Sequence, residues 1–393
     1  MGALAGGREI PEAQLQPVTR ERPPSFLSHA VENLRPREPA FTRLAREVAQ
    51  DREPKPTLQG GKIMNKSEVI CVGIDVSARE LVAAVGGRES EQRFANTRVG
   101  HQALVSWLRR QGGRVRVCVE ASGNYSLDLS LALSQQPGVA LQVVNPRLAR
   151  RFAESLGRRS KTDPVDAHML AEFAARMPFA VWQAPSATAL QLRSLVRTVA
   201  ALTRIAVQEK NRHHAAEASL LLAPMIAREL QRHTRYLQQR IAKLRQKAQR
   251  IVQRDSHLQR RWQHLLSVPG IAEVSALQIL GELAVLPATL DARQWVAQCG
   301  LDPKHLESGS SVQATPRISK AGNRYLRAAL YMPALVAVRY DAAAAAFYQR
   351  LQQRGKAKLS ALTAVMRKLL HGIYAMFRRD QDYNGLELFP ARH

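Results

Sequence analysis

The chain has 393 residues, enough for two or three domains with real cores, and its 45% hydrophobic content is ordinary for a globular protein. A formal charge of +26 points to a polyanionic partner, with nucleic acid the first candidate; aromatics at 5% leave phosphate contacts by Lys and Arg to dominate. No apolar run approaches a membrane span, no hydrophobic signal core opens the chain, and Cys71, Cys118 and Cys299 form no CxxC pair, so a reduced cytoplasmic protein acting on the nucleoid is expected.

Residues 1–63 are rich in proline interleaved with Arg and Glu and hold no lasting apolar period. They read as a disordered basic extension, or as the product of an over-long gene assignment, because Met64-Asn65-Lys66-Ser67 would make a natural start.

Residues 64–184 read as one domain. Val69–Val76 is a buried strand ending on an acid, Asp75; Leu81–Val85 is its hairpin partner and Gln92–Thr97 a third strand. An amphipathic helix follows over His101–Gln111, then a strand Val115–Glu120 that again ends on an acid. Tyr125–Ser134 reads as a helix, Ala140–Val144 as a fifth strand and Leu148–Leu156 as a helix. Three strands, helix, strand, helix, strand, helix is the order of an RNase H-like α/β fold with a mixed sheet.

The next helix opens with Lys161-Thr162-Asp163-Pro164-Val165-Asp166-Ala167. Asp163 and Asp166 are three apart and share one face of its first turn, with Pro164 where a proline gives up no helical hydrogen bond. The bland reading makes Asp163 a cap and Asp166 a solvated acid at the dipole's positive end. The functional reading joins them to Asp75 and Glu120 as a four-carboxylate cage for hard divalent ions, two Mg²⁺ with Mn²⁺ as the substitute, that align a nucleophile and a leaving oxygen about a phosphate. Taken singly, Asp75 also fits a strand-end turn and Glu120 a capping partner near Ser122.

Gly73-Ile74-Asp75-Val76-Ser77, Glu120-Ala121-Ser122-Gly123-Asn124-Tyr125, Asn145-Pro146-Arg147 and the Lys161–Ala167 run together resemble the DEDD transposases of the IS110/IS1111 insertion-sequence family, from about Ile70 to Phe173. The resemblance implies a RuvC-like nuclease domain in which Asp75, Glu120, Asp163 and Asp166 bind the catalytic metals. Arg147 and Lys161, within the matched motifs, are candidate nucleic-acid contacts.

Residues 185–262 read as a basic helical arm. Leu192, Leu195, Val199, Leu202 and Ala206, then Leu237, Ile241, Leu244, Ala248 and Ile251, give a coiled-coil seam in two segments interrupted near Pro224. A hairpin packed on itself and a dimerising coil both satisfy this pattern.

Residues 263–393 read as a mainly α C-terminal domain. Leu266-Ser267-Val268-Pro269-Gly270-Ile271 before a helix over Ala272–Glu282 suggests a helix-hairpin-helix with Gly270 at a phosphate-facing turn. Ala292–Cys299 reads as a short helix, Gly300–Ser311 as a polar loop, Ile318–Arg327 as the entry to a helix ending near Val338, and Ala342–Phe377 as an Ala-rich helix. Gly-Leu-x-Pro, then Ser-Gly, then Lys-x-Gly-Asn-x-x-Leu-Arg is the pattern of the same family's C-terminal domain. That resemblance implies Ser308 as nucleophile, with Ser310 or Ser311 as fallback. No base is evident; His305 is near only in sequence. Lys320, Arg324 and Arg327 would steady phosphate charge.

The expectation is therefore a transposase that cuts and exchanges DNA strands through a phosphoserine. The resemblance adds a noncoding guide RNA, and handling two duplexes requires at least a homodimer. The rivals are a RuvC-like endonuclease that uses water, and a nucleic-acid-binding protein without catalysis.

Overall fold

The computed structural model describes residues 69–157, 162–218, 224–308 and 312–390, all within one compact unit running from Lys66 to His393. The N-terminal extension lies outside the described residues, as do Lys161, Ser310 and Ser311.

The first half is a five-stranded mixed sheet in the order β3-β2-β1-β4-β5. Strands β1 (Val69–Val76), β2 (Glu80–Val85) and β3 (Glu91–Ala95) pair antiparallel, while β4 (Arg114–Glu120) lies parallel to β1 and β5 (Val139–Val144) parallel to β4. The parallel strands are apolar on both faces because helices cover both. Helices α1 (Arg98–Arg110) and α2 (Leu127–Ser134) bury Leu104, Leu108, Leu129 and Leu133 against Val72, Ile74, Val117 and Val119. On the other face α3 (Pro146–Ser155) and α4 (Asp163–Arg176) bury Ala149, Met169, Leu170 and Phe173 with Cys118 and Val144. This is the RNase H-like arrangement expected.

Helix α1 starts three residues before the predicted His101. Thr97 leaves the strand to cap it, accepting from the Gly100 N–H at 3.2 Å. Helix α2 starts after Tyr125, which stays in the preceding turn. After α4 the chain runs back beside β5, where the Trp182 N–H donates to the Leu141 carbonyl.

The arm consists of α5 (Ala187–Glu217) and α6 (Pro224–Arg254), packed antiparallel in one chain: Val196 meets the Ala248–Val252 end, and Glu209 lies 3.9 Å from His233. Of the two seam readings, the structure within a chain is the self-packed hairpin. Its base is part of the C-terminal core, since Leu192, Val196, Ala248 and Val252 pack with the helices that follow.

Those are α7 (Ser256–Ser267), α8 (Glu273–Leu283), α9 (Ala292–Cys299), α10 (Arg324–Tyr340), α11 (Ala342–Gln353), α12 (Lys358–Arg379) and the single turn α13 (Gly385–Leu388). Two expectations need correction. The Ala342–Phe377 run is two helices, broken around Gly355, whose φ of 80° ends the first. Within the stretch read as a polar loop, Pro303–Ser308 is a strand, β6, paired with β7 (Val312–Ile318), Ser308 opposite Val312. Among the described residues no helix is long and apolar enough to cross a membrane.

Candidate active site

Asp75 and Glu120 leave adjacent parallel strands at the same level. Ile74 pairs with Val119, so the next residues, Asp75 and Glu120, stand side by side. Side chains alternate along a strand, so Asp75 faces the same way as Gly73, toward α4. At Gly73 the helix backbone touches the strand: a Cβ there would lie 2.0 Å from the Ala167 carbonyl oxygen and 2.3 Å from the Ala171 nitrogen. Only glycine permits that approach. It lays the first turn of α4, with Asp163 and Asp166, over the strand ends.

Thr162, not Asp163, occupies the N-cap, and the Asp166 N–H donates to its carbonyl at 2.9 Å. Asp163 is thus the first helical residue rather than the cap. Asp75 feels the charges of the other three acids. Burial, then the charges of Asp163 and Asp166, then that of Glu120, push the Asp75 carboxyl up to about 6 against a single opposing backbone hydrogen bond from Val76. Among the described residues no three His, Cys, Asp or Glu side chains stand close enough, as placed, to grip one metal ion.

The loops that follow the two strand acids are tied together by Asn96, which the sequence did not flag. Its Nδ2 donates to the carbonyls of Ser77 at 2.8 Å and Tyr125 at 3.1 Å. Carbonyls only accept, so the amide orientation is fixed and Oδ1 faces His101 Nε2 at 2.8 Å, which must carry the proton. Burial holds the His101 pKa below its ordinary value, against the charge of Asp128.

The remaining candidates divide. Arg147 is exposed in the first turn of α3, at the same strand-end edge because β5 pairs Val144 with Glu120. Lys320 and Arg324 are exposed at the entry to α10, and Lys320 holds a left-handed φ of 51°. Arg327 does not reach out: its guanidinium donates to the Cys299 carbonyl at 2.7 Å and braces the turn at Gly300. Gly270 has a φ of 88°, but its Cα faces α10, where a Cβ would meet the Pro333 oxygen at 2.8 Å. Its turn serves helix packing.

A buried network behind the β6–β7 hairpin also escaped the sequence. Glu282 of α8 is fully buried and accepts both Nε and Nη2 of Arg197 at 2.8 Å, while Asn323 Nδ2 donates to it at 2.6 Å. Asn323 also caps α10 and donates its backbone N–H to the Gln298 carbonyl. The only sequence signal was an acid on the apolar side of the Glu273–Leu283 helix.

Two family models match the chain: a Transposase model for IS110-type DEDD enzymes over residues 72–221, and the Transposase IS116/IS110/IS902 family over residues 262–349. Together they span more than half of it. A pilin gene-inverting protein of Moraxella bovis is 28% identical over 321 residues, 80% of this chain and 97% of that protein. The Insertion element IS110 43.6 kDa protein of Streptomyces coelicolor is 28% identical over 119 residues, 30% of this chain and 29% of the relative. The Insertion element IS900 42 kDa protein of Mycobacterium paratuberculosis is 32% identical over 124 residues, 30% of each chain. A DEDD domain with its four acids on one sheet edge and a C-terminal transposase domain behind it make this chain an enzyme of the IS110 family of transposases, a DNA recombinase.

Proposed function

We propose that the chain cuts and rejoins DNA by phosphoryl transfer. Ser308 is the nucleophile, Asp75, Glu120, Asp163 and Asp166 hold two Mg²⁺ ions (Mn²⁺ serving as well), and a noncoding RNA from the element guides target choice. The observation that supports this reading is the placing of four carboxylates along one sheet edge, two from neighbouring strand ends and two from the helix turn that Gly73 admits, near enough for the other three to raise the Asp75 pKa.

An all-oxygen, four-anion set is the donor chemistry of a hard divalent cation and is repulsive without one. Ligation needs side-chain rotation on these fixed backbones, since the carboxylates as placed do not close on one point. When bound, the ions would supply Lewis-acid charge to the phosphate and to an attacking hydroxyl.

In the first transfer a bond forms between Ser308 Oγ and phosphorus, one phosphorus–oxygen ester bond to a sugar breaks, and the serine proton leaves with the freed sugar hydroxyl. In the second, a hydroxyl of another strand attacks the phosphoserine and the proton returns to Ser308. The count of phosphate ester bonds is unchanged, so no hydrolysis of a nucleotide is required. Lys320, Arg324 and Arg147 would neutralise phosphate charge from exposed positions, whereas Arg327 supports the hairpin base. The Moraxella relatives are named for inverting a gene, an outcome that needs cutting and rejoining together. Two duplexes handled at once call for at least a homodimer, working in the cytoplasm on nucleoid DNA.

The deciding test follows labelled DNA of the element's ends through a denaturing gel. Wild type with Mg²⁺ should carry label covalently, and Ser308→Ala should not. Cleavage by wild type with no adduct would mean that water is the nucleophile and that the chain is a RuvC-like endonuclease.

A further inference from the structure

A groove of about 710 Å³ runs between α1 and α2, on the sheet face opposite α4. It opens at the same strand-end edge as the acids. Ala78, three residues after Asp75, and Tyr125, five after Glu120, form its rim, and Asn96 in its wall is the residue that ties those two loops together. The volume lies in the range of clefts that enclose small ligands and is far too small for a duplex.

The lining is suited to a nucleobase. Gln102 and Gln135 offer amide edges that can both donate and accept, as base edges require, while Gln136 spends its amide on Arg109 and the Ala132 carbonyl. Arg98 and Arg109 supply positive charge against one carboxylate, Asp128. Val105 gives an apolar floor. Tyr125 lines the groove with 56% of its surface exposed, in a chain where aromatics are scarce.

We propose that this groove receives an unpaired base of the DNA strand being cut, stacked on Tyr125 and read by the α1 and α2 amides. The inference rests on the strand-cutting reading above. A strand whose scissile phosphate lies at Asp75 and Glu120 crosses the loops that form the groove's rim, so a neighbouring nucleotide can turn over the edge into it. Splaying a base out of the stack is the way proteins reach nucleotides that a duplex conceals. Occupation would brace the Ser77 and Tyr125 loops that Asn96 already holds, and would fix the register of the strand over the acids.

The test uses full-length Asp75→Asn protein, which should bind without turnover, on element-end DNA carrying a single 5-iodouracil at successive positions around the cut. Irradiation should give a crosslink at Tyr125 or on α1 from one position within a few nucleotides of the scissile phosphate. An abasic nucleotide at that position should weaken binding about tenfold, the order of one base–aromatic stack. Tyr125→Ala should show the same loss on intact DNA, and little more on abasic DNA, while Tyr125→Phe restores binding. Multiplying losses, or no crosslink to the groove from any DNA position, would overturn the proposal. A crosslink from the guide RNA alone would also overturn it, by assigning the groove to another strand. Because these readouts need no cleavage, they can fail while the metal and serine chemistry stands; equally, the groove can hold a base in an enzyme that uses water.

Discussion

Gly73 sets the spacing of the active site. The strand around it is β-branched and apolar, and the glycine has no side chain to bury there; its value lies in the backbone it lets approach. In Gly73→Ala, the added methyl meets main-chain atoms that cannot rotate away, so α4 must move off the sheet. The expected cost is about 1–3 kcal/mol of stability, as for overpacked cores. Cleavage should fall far more steeply than that loss implies, because Asp163 and Asp166 travel with the helix. Chemical unfolding and a cleavage assay on the same preparation check both. Normal cleavage in a destabilised Gly73→Ala protein would show that the acids do not depend on this contact. The places of the four acids could be read directly, because each ended a strand or opened a helix; their role came from the family resemblance. Gly73's role could not be read, since a glycine in a strand does not say what will lie against it. The Asn96 bridge was equally invisible, its two acceptors being carbonyls nearly 20 and 30 residues away.

Among the elements, strand periodicity located the whole sheet, while turn-forming residues concealed β6 and β7. The Gly300–Ser311 stretch, with Pro303 and its serines, read as loop, yet Pro303–Ser308 pairs with Val312–Ile318, and at the base of the pair Ser319 Oγ donates to Asp302 and the Lys320 N–H to the Gly300 carbonyl. That base leans on Glu282. Removing Arg197 leaves a fully buried carboxylate held by Asn323, whereas Glu282→Gln removes the charge and keeps much of the shape. Arg197→Met should therefore be the more damaging change, by about 3 kcal/mol, the lower end for a broken buried pair because Arg197 is itself 39% exposed at its side chain. Urea unfolding of the two variants decides; equal losses would count against the network.

A second tie joins α7 to the end of α12. His264 Nδ1 lies 2.7 Å from Asp382 and Nε2 lies 3.0 Å from Asp380, so both ring nitrogens face carboxylates and the ring is held as the imidazolium. Burial works against its charge, but the two hydrogen bonds and the charges of Asp380 and Asp382 outweigh it and raise the pKa above the ordinary 6.5. A raised folded pKa gives stability that is complete below 6.5 and is lost as pH rises through the folded value. The melting-temperature gap between wild type and His264→Gln should be widest near pH 6 and narrow toward pH 9. A gap that stays constant would mean the ring is not held by charge.

Over the whole molecule, the +26 charge is carried largely by faces that take no part in the core. Along α6, Arg240, Lys243, Lys247 and Arg250 are exposed while Leu237, Ile241, Ala248 and Val252 are buried. Each phosphate contact made by such a residue contributes about 0.9 to the slope of log affinity against log salt on duplex. Replacing Lys243, Lys247 and Arg250 with Ala should flatten that slope by about 2.7 and weaken all sequences alike. An unchanged slope would take this face of the arm off the nucleic acid. The charge was legible from composition; where it lies relative to the core was legible only in part, because half-buried seam positions such as Leu195 and Ile251 look the same in sequence as fully buried ones.

The carboxylate of Glu282 is shared between a long arm and a short hairpin. Arg197 belongs to the arm, ten residues inside a helix of 31, and Asn323 belongs to the segment that returns from β7. A load applied along the arm would therefore meet, at this carboxylate, a contact shared with the base of the hairpin.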